Sequence, residues 1–111
     1  MKKRILVLED QEDRREIFRE IFKADQIVFT EYVDVCIDIL KQFSPDVLYL
    51  DHDLGTDETG YDVACWLEEH KKYQPKTIYL HTANIVGRDR MKQALPKAIG
   101  INFEEIREKI T

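Results

Sequence analysis

The sequence predicts an α/β fold in which helices cover both faces of a doubly wound, five-stranded parallel sheet. Short apolar runs alternate along the chain with longer segments whose apolar residues recur at helical spacing. The runs are apolar throughout rather than alternating with polar residues, which is typical of strands buried between two layers of helices. No linker, low-complexity stretch or internal repeat interrupts residues 1–111, so we expect a single domain.

Five strands are predicted from the apolar runs. The first ends in acidic residues, the second is rich in β-branched and aromatic residues, and the third is apolar throughout its middle. The fourth has the same character, whereas the fifth contains Gly100, which weakens its strand pattern. These five runs cover residues 4–8, 26–32, 46–50, 77–81 and 98–101.

Five helices are predicted between and after these strands. They cover about residues 12–23, 34–43, 61–72, 86–95 and 103–110. Asp34 is expected to cap the second helix, and Pro45 and Pro96 follow the ends of the second and fourth. Asn102 and Glu105 have the spacing of a capping box at the start of the last helix. The apolar face of that helix is predicted to consist of Phe103, Ile106 and Ile110.

Composition and charge exclude several classes of function. The chain has 17 basic and 22 acidic residues, a formal charge of −5, which argues against duplex nucleic acid and anionic membranes as partners. No apolar run exceeds five residues, so no membrane span is predicted. The basic start, Met1 to Arg4, lacks the apolar region of a signal peptide, and the two cysteines, Cys36 and Cys65, have no metal-binding spacing. We therefore expect a cytoplasmic protein with both thiols buried.

Polar side chains follow three of the predicted strands at their carboxyl ends, where doubly wound sheets bind ligands. They are Glu9 and Asp10, then Asp51, His52 and Asp53, and then His81, Thr82, Ala83 and Asn84. Polar strand ends can simply meet solvent, but four carboxylates at one edge repel one another, and a hard divalent cation is the usual remedy. Mg²⁺ (or Mn²⁺) commonly shares its ligand shell with a phosphate, and an aspartate beside it can act as a nucleophile.

Several of these motifs resemble the receiver domain of response regulators. Residues 5–14, residues 46–51, Gly60 and the Thr82-Ala83 pair match its motifs in order. The resemblance implies a flavodoxin-like (CheY-like) fold with strand order 2-1-3-4-5. It also implies a metal ion held by Glu9, Asp10, Asp51 and the backbone carbonyl of Asp53, with Asp51 as phosphoacceptor and Thr82 as a donor to the phosphoryl group.

The chain departs from ordinary receivers at the fifth strand. Receivers carry a lysine at the end of that strand, whereas the matching position here is near Ile99 and the nearest lysine is Lys97. The aromatic switch residue of the same strand is also missing, and Gly55 replaces a proline in the loop after the phosphoacceptor. Whether Lys97 takes the role of the missing lysine is left open by the sequence.

The segments 50–55 and 81–84 more closely resemble a receiver-like family proposed to process cyclic phosphates. That resemblance implies that Thr82, Ala83 and Asn84 bind phosphate and that His52 and His81 act as acid, base or metal ligand. Both histidines could reach one phosphate from neighbouring strand ends. Residues alternate in direction along a strand, however, so Asp51 and His52 face the same side only if the chain turns there. Each histidine can equally brace a carboxylate.

Three functions remain open from the sequence. The first is a metal-dependent domain that binds or hydrolyses a (cyclic) phosphate ligand, the second a phosphoaccepting signalling module, and the third a degenerate receiver that binds a protein partner. A homodimer through the last helices is a further expectation from the receiver resemblance. Asn84 either donates to an oxyanion or caps the following helix, and Arg88 and Arg90 either reach an incoming phosphate or form a solvated face.

Overall fold

Five parallel strands form one sheet in the order β2-β1-β3-β4-β5, which confirms the predicted fold class. The structure is a computed structural model that describes residues 2–108. The strands are β1 (Arg4–Leu8), β2 (Gln26–Thr30), β3 (Val47–Leu50), β4 (Thr77–Leu80) and β5 (Ile99–Gly100). The helices are α1 (Glu12–Ile21), α2 (Val33–Phe43), α3 (Gly60–Glu69), α4 (Ile85–Ala94) and α5 (Phe103–Glu108), and a short 3₁₀ turn over Lys71–Tyr73 follows α3.

The sheet separates two hydrophobic clusters, because successive strand residues point to opposite faces. On one face, leucines of β1, β3 and β4 pack with residues of α2, α3 and α4. On the other face, Ile5, Val7 and Tyr49 pack with Phe18 of α1 and Ile106 of α5. The central strands are therefore buried on both sides, which explains why their sequences are continuously apolar.

The start of α2 differs from the sequence prediction. Thr30 ends β2, and its hydroxyl oxygen accepts a hydrogen bond from the Tyr32 backbone N–H at 3.1 Å, which turns the chain two residues earlier than predicted. Tyr32 is then the N-cap of α2, and no side chain caps it. The predicted Asp34 cap is wrong: Asp34 lies inside the first turn, where its carboxylate accepts from the Val35 N–H at 2.9 Å.

The later elements agree with the sequence more closely. Helix α3 ends at Glu69, about three residues early, because the 3₁₀ turn replaces its predicted last turn. The capping box before α5 is confirmed: the Glu105 N–H donates to Asn102 Oδ1 at 2.8 Å, and the Asn102 N–H donates to Glu105 Oε1 at 3.1 Å. Ile106 is buried as predicted, and Ile110 lies outside the described residues.

The two cysteines are free thiols in different environments. Cys36 is buried in the core of α2, and burial raises the pKa of its thiol to about 12, whereas Cys65 is only half-buried. None of the helices within residues 2–108 has the length and apolar character needed to cross a membrane.

Candidate metal and phosphate site

Three ionisable residues lie side by side where β1, β3 and β4 end. Leu8 pairs with Leu50, and Leu50 pairs with Leu80, so the residue after each leucine occupies the next register position. These residues are Glu9, Asp51 and His81, which we call the strand-end row. Their candidate ligand atoms all lie within 4.8 Å of one another. Side chains two positions apart on a strand point to the same side of the sheet. Glu9 and Asp51 follow Val7 and Tyr49 by two positions, so the row faces the side that is covered by α1 and α5.

Glu9 and His81 form a fully buried pair within this row. His81 Nε2 lies 3.0 Å from Glu9 Oε1, and both side chains are 0% exposed. Burial raises the pKa of the Glu9 carboxyl, but the hydrogen bonds from His81 and the Gln11 N–H, with the charges of His81 and Arg14, outweigh it and lower the pKa overall. The row therefore keeps an ionised carboxylate at its first position.

The His81 ring is held from the other side by aromatic packing. The rings of Phe18 and Phe103 contact it edge to face, with centroids 5.3 and 5.9 Å away, and Tyr49 lies at 6.3 Å. Its Nδ1 is buried and has no hydrogen-bond partner in the described part of the chain. The imidazole is consequently oriented by a single polar contact, the one to Glu9.

Asp51 occupies the middle of the row and is almost completely buried. Its Oδ1 accepts from the His52 backbone N–H at 2.8 Å, and the Thr82 side chain lies close to this carboxylate. Burial, and secondly the charge of Glu9, raise the pKa of Asp51, and the lowering effects of His81 and Thr82 do not offset them. Helix α3 starts directly against this residue: a Cβ on Gly60 would lie 1.9 Å from the Asp51 carbonyl oxygen.

Asp10 adds a third carboxylate beside the row. Its Oδ1 is buried without any hydrogen-bond partner among the described residues. Its Oδ2 faces Gly55, where the left-handed backbone (φ 71°) brings the loop after β3 close to it. Burial, with the hydrogen bond and charge of Glu9, raises the pKa of Asp10. A buried carboxylate oxygen without a donor, next to the Glu9 carboxylate, is chemically suited to a hard divalent cation.

His52 and Asp53 do not join the row: both follow the end of β3, and His52 lies at a bend in the chain. His52 Nδ1 lies 2.9 Å from Asp53 Oδ1, and its ring packs against α4, where a Cβ on Gly87 would come within 2.4 Å of His52 Cγ. Asp53 turns its exposed side chain to His52 and to Asn84 Nδ2, 3.2 Å from Oδ2. Hydrogen bonds from His52 and Asn84 lower the pKa of Asp53. The structure thus separates the two histidines that the sequence grouped at one phosphate.

Thr82, Ala83 and Asn84 connect the row to α4. The Thr82 hydroxyl oxygen accepts from the Asn84 N–H at 3.1 Å, and Asn84 Oδ1 accepts from the Gly87 N–H at 2.9 Å. Asn84 is therefore the N-cap of α4, one of its two predicted roles. Thr82 is buried next to Asp51, whereas Ala83 is exposed.

A groove of about 370 Å³ opens beside the row between the ends of β4 and β5. It is lined by Arg14, Thr82, Ala83, Arg88, Ile101 and Phe103, among others. Arg88 thus lies at the groove, whereas Arg90 stacks on Tyr61 with its guanidinium 4.2 Å from the ring centroid.

The sequence analysis missed Arg14. Its guanidinium Nη1 lies 3.8 Å from both Glu9 Oε1 and Asp51 Oδ2, and its side chain is 31% exposed. The available signal was its position one turn of helix after Asp10. That signal is weak, because Arg15 is adjacent and only the packing of α1 on the sheet decides which arginine faces the row.

Comparison with known proteins identifies the sequence pattern and the fold. A family profile described as "Cyclic-phosphate processing Receiver domain" matches residues 4–97. No curated protein sequence matches the chain.

Solved structures of receivers share the fold. A CheY-like response regulator receiver domain protein from Methanospirillum hungatei JF-1 is 19% identical, with a TM-score of 0.76 over 99% of this chain and 91% of that one. The Mn²⁺-bound form of response regulator Rcp1 is 14% identical, with a TM-score of 0.79 over 96% and 90%. The phosphorylated cyanobacterial phytochrome response regulator RcpA is 13% identical, with a TM-score of 0.80 over 99% and 89%.

Proposed function

The chain belongs to the family of cyclic-phosphate processing receiver domains, and on that premise we propose that it is a divalent-metal-dependent domain that binds and hydrolyses a cyclic phosphate. The observation that carries the proposal is the strand-end row together with the partnerless buried oxygen of Asp10. A domain that only bound another protein would gain nothing from a buried cluster of repelling carboxylates.

We assign the metal to the carboxylates of Glu9, Asp10 and Asp51 and to the backbone carbonyl of Asp53. Such an ion would neutralise the cluster and polarise a phosphate ester. The oxygen donors favour Mg²⁺, whereas His81 Nε2, the nitrogen in the row, would favour Mn²⁺ if it joined them. Comparing the affinity of both ions for the wild type and His81→Gln separates these two ligand sets.

The remaining roles follow from position. The Thr82 hydroxyl lies beside Asp51 and can donate to a phosphate oxygen, and the Ala83 and Asn84 segment lies next to it. Hydrolysis of a cyclic phosphodiester joins a water oxygen to phosphorus and breaks one P–O ester bond, so one group takes a proton and another gives one to the leaving oxygen. We assign uptake of the proton to Asp51, and the leaving oxygen takes its proton from solvent in the open groove. His81, which is completely buried and bonded to Glu9, holds that carboxylate in place. We assign His52 the bracing of Asp53, to which it is bonded.

Turnover is the direct test of this function. The protein is incubated with Mg²⁺ or Mn²⁺ and with 2′,3′- and 3′,5′-cyclic nucleotides, and the products are separated by chromatography. We expect a ring-opened monophosphate from one of these classes, and no product from Asp51→Asn. Failure of every cyclic phosphate to react, with metal binding intact, would contradict the proposal.

A second candidate function is that Asp51 accepts a phosphoryl group. The nearby Thr82 side chain favours this reaction, as does the position of Asp51 Oδ2 in front of the Arg14 guanidinium. In that reaction the Asp51 oxygen would attack phosphorus of a phosphodonor and release its leaving group. Intact mass after incubation with Mg²⁺ and acetyl phosphate distinguishes the candidates: one phosphoryl adduct on the wild type, absent from Asp51→Asn, would favour this second function.

Two further expectations belong to the proposal. We infer that its ligands are a phosphate compound and, if the second function holds, a protein partner. A cytoplasmic location is supported by the two free cysteines, because oxidising compartments favour disulfides.

A further inference from the structure

We propose that Arg14 of α1 binds the phosphate group of the ligand and supplies the positive charge that receivers otherwise obtain from strand five. The inference rests on the proposed function, because it concerns the phosphate that the same site would bind. It assigns a ligand-contacting role to a residue that no sequence motif indicates.

Strand β5 cannot supply this charge. Ile101 follows Gly100, the partner of Leu80, and its N–H donates to the Leu80 carbonyl at 2.9 Å. Ile101 therefore occupies the position of the row on β5, and it is buried and apolar. Lys97 precedes β5 and lines a separate groove with Glu68 and Lys71, so it lies toward the opposite edge of the sheet.

The Arg14 guanidinium points at the row but forms no hydrogen bond with its carboxylates. At 3.8 Å from Glu9 Oε1 and Asp51 Oδ2, Nη1 is attracted to both carboxylates but lies beyond hydrogen-bond range of either. A phosphate oxygen bound next to the Asp51 carboxylate would thus meet N–H groups that are not hydrogen-bonded to these acids. A guanidinium presents several such donors in one plane, which suits phosphate oxygens.

The two other arginines of α1 form hydrogen bonds with other groups. Arg15 Nε donates to Glu12 at 2.9 Å, and its Nη1 donates to the Glu9 carbonyl at 3.2 Å. Arg19 Nη1 donates to the other oxygen of Glu12 at 2.7 Å. Arg14 is the arginine of the helix that is directed at the row.

A second arginine also lines the groove. It is Arg88 of α4, whose stem passes β5 at Gly100, where a Cβ would lie 3.2 Å from Arg88 Cδ. Thr82 and Ala83 line the same groove. A volume of about 370 Å³ is within the usual range of small-ligand sites, roughly 300–1,000 Å³. The groove therefore has room for the organic part of a phosphate ester whose phosphate contacts Arg14.

Calorimetric titration tests the role of Arg14 with two separate probes, Mg²⁺ alone and inorganic phosphate in the presence of Mg²⁺. Arg14→Met keeps the packing of the stem but removes the charge, and Arg14→Lys keeps the charge. Arg90→Met is the matched control, because Arg90 stacks on Tyr61 away from the groove.

We expect Arg14→Met to weaken phosphate binding about tenfold, the effect of one lost charge-assisted hydrogen bond. Mg²⁺ alone should bind that variant at least as tightly as the wild type, because a competing cation has been removed from the carboxylates. Arg14→Lys should recover part of the phosphate affinity, and Arg90→Met should match the wild type. A purely structural role would lower both affinities together, rather than the phosphate affinity alone.

Three results would overturn the role of Arg14. Equal phosphate affinity of the wild type and Arg14→Met would do so while leaving the proposed function standing. Parallel losses of Mg²⁺ and phosphate binding in Arg14→Met would indicate a structural role. A wild-type protein that binds Mg²⁺ but not phosphate would also overturn it, and the turnover assay with cyclic nucleotides would then decide the proposed function separately.

Discussion

His81 Nε2 lies 3.0 Å from Glu9 Oε1, and the two side chains are completely buried at neighbouring strand ends. The pair brings together residues separated by 72 positions in the sequence, so it exists only when β1, β3 and β4 have assembled. This contact fixes both the charge of the Glu9 carboxylate and the orientation of the His81 imidazole. The chemistry that we propose for this edge of the sheet depends on that arrangement.

Removing the imidazole is expected to destabilise the protein. His81→Leu leaves the buried Glu9 carboxylate without its side-chain partner, and breaking such a pair costs about 3 kcal/mol or more. His81→Gln keeps a donor near Glu9 and should recover part of the loss. Urea unfolding at neutral pH measures both variants, and a double-mutant cycle with Glu9→Gln isolates the coupling between the two residues. A coupling energy near zero would show that the contact is not stabilising.

Asp51→Asn is expected to stabilise the metal-free protein at neutral pH, because the amide carries no charge in this buried position. Burial and the charge of Glu9 raise the pKa of Asp51 above its ordinary value of 3.8, so the ionised form is penalised in the folded state. The amide keeps an oxygen that can accept from the His52 N–H.

The raised pKa of Asp51 also determines how the stability difference between Asp51→Asn and the wild type depends on pH. The penalty on Asp51 is fully present above its folded-state pKa and disappears as the pH falls toward its unfolded-state pKa. The stability difference between Asp51→Asn and the wild type should therefore shrink on acidification, as measured by urea unfolding at a series of pH values. An Asp51→Asn variant less stable than the wild type at neutral pH, with a deficit that vanishes on acidification, would mean that the folded state lowers the pKa of Asp51.

The position of His52 can be tested by packing. A Cβ on Gly87 would overlap the His52 ring, so Gly87→Ala is expected to cost about 1–3 kcal/mol by overpacking. His52→Ala vacates that space and should recover much of the loss in the double variant. Thermal unfolding of the two single variants and the double variant measures this coupling. Additive losses would indicate that His52 does not lie against α4.

The sheet and the residues at the carboxyl ends of its strands could be predicted from the sequence, because both depend on local patterns. Continuous apolar runs identified the strands, and the acidic residues after β1 and β3 marked their carboxyl ends. The direction of His52 was less predictable, because it depends on whether the backbone turns after Asp51. In the structure β3 ends at Leu50, and His52, at the bend that follows, lies against Gly87 rather than in the row.

Arg14 and the start of α2 illustrate what local patterns do not contain. The direction of Arg14 is set by the rotation of α1 against the sheet, where Phe18 packs beneath His81, and no spacing rule fixes that rotation. Asp34 has the side chain of a good cap, but a turn held by Thr30 starts α2 one residue before it. Tertiary packing decided both cases.

We propose that the sheet edge with Glu9, Asp10 and Asp51 binds a divalent cation. Thermal unfolding at increasing concentrations of Mg²⁺ or Mn²⁺ measures this binding. A ligand at one hundred times its dissociation constant stabilises the folded state by about 2.7 kcal/mol. Asp10→Asn should lose about tenfold in affinity, equivalent to about 1.4 kcal/mol. Asp38→Asn is the matched control, because Asp38 is exposed on α2, which packs on the other face of the sheet.

We expect a melting temperature that rises with either ion in the wild type and in Asp38→Asn, and a much smaller rise in Asp10→Asn. A wild-type melting temperature that does not change at millimolar Mg²⁺ and Mn²⁺ would contradict it.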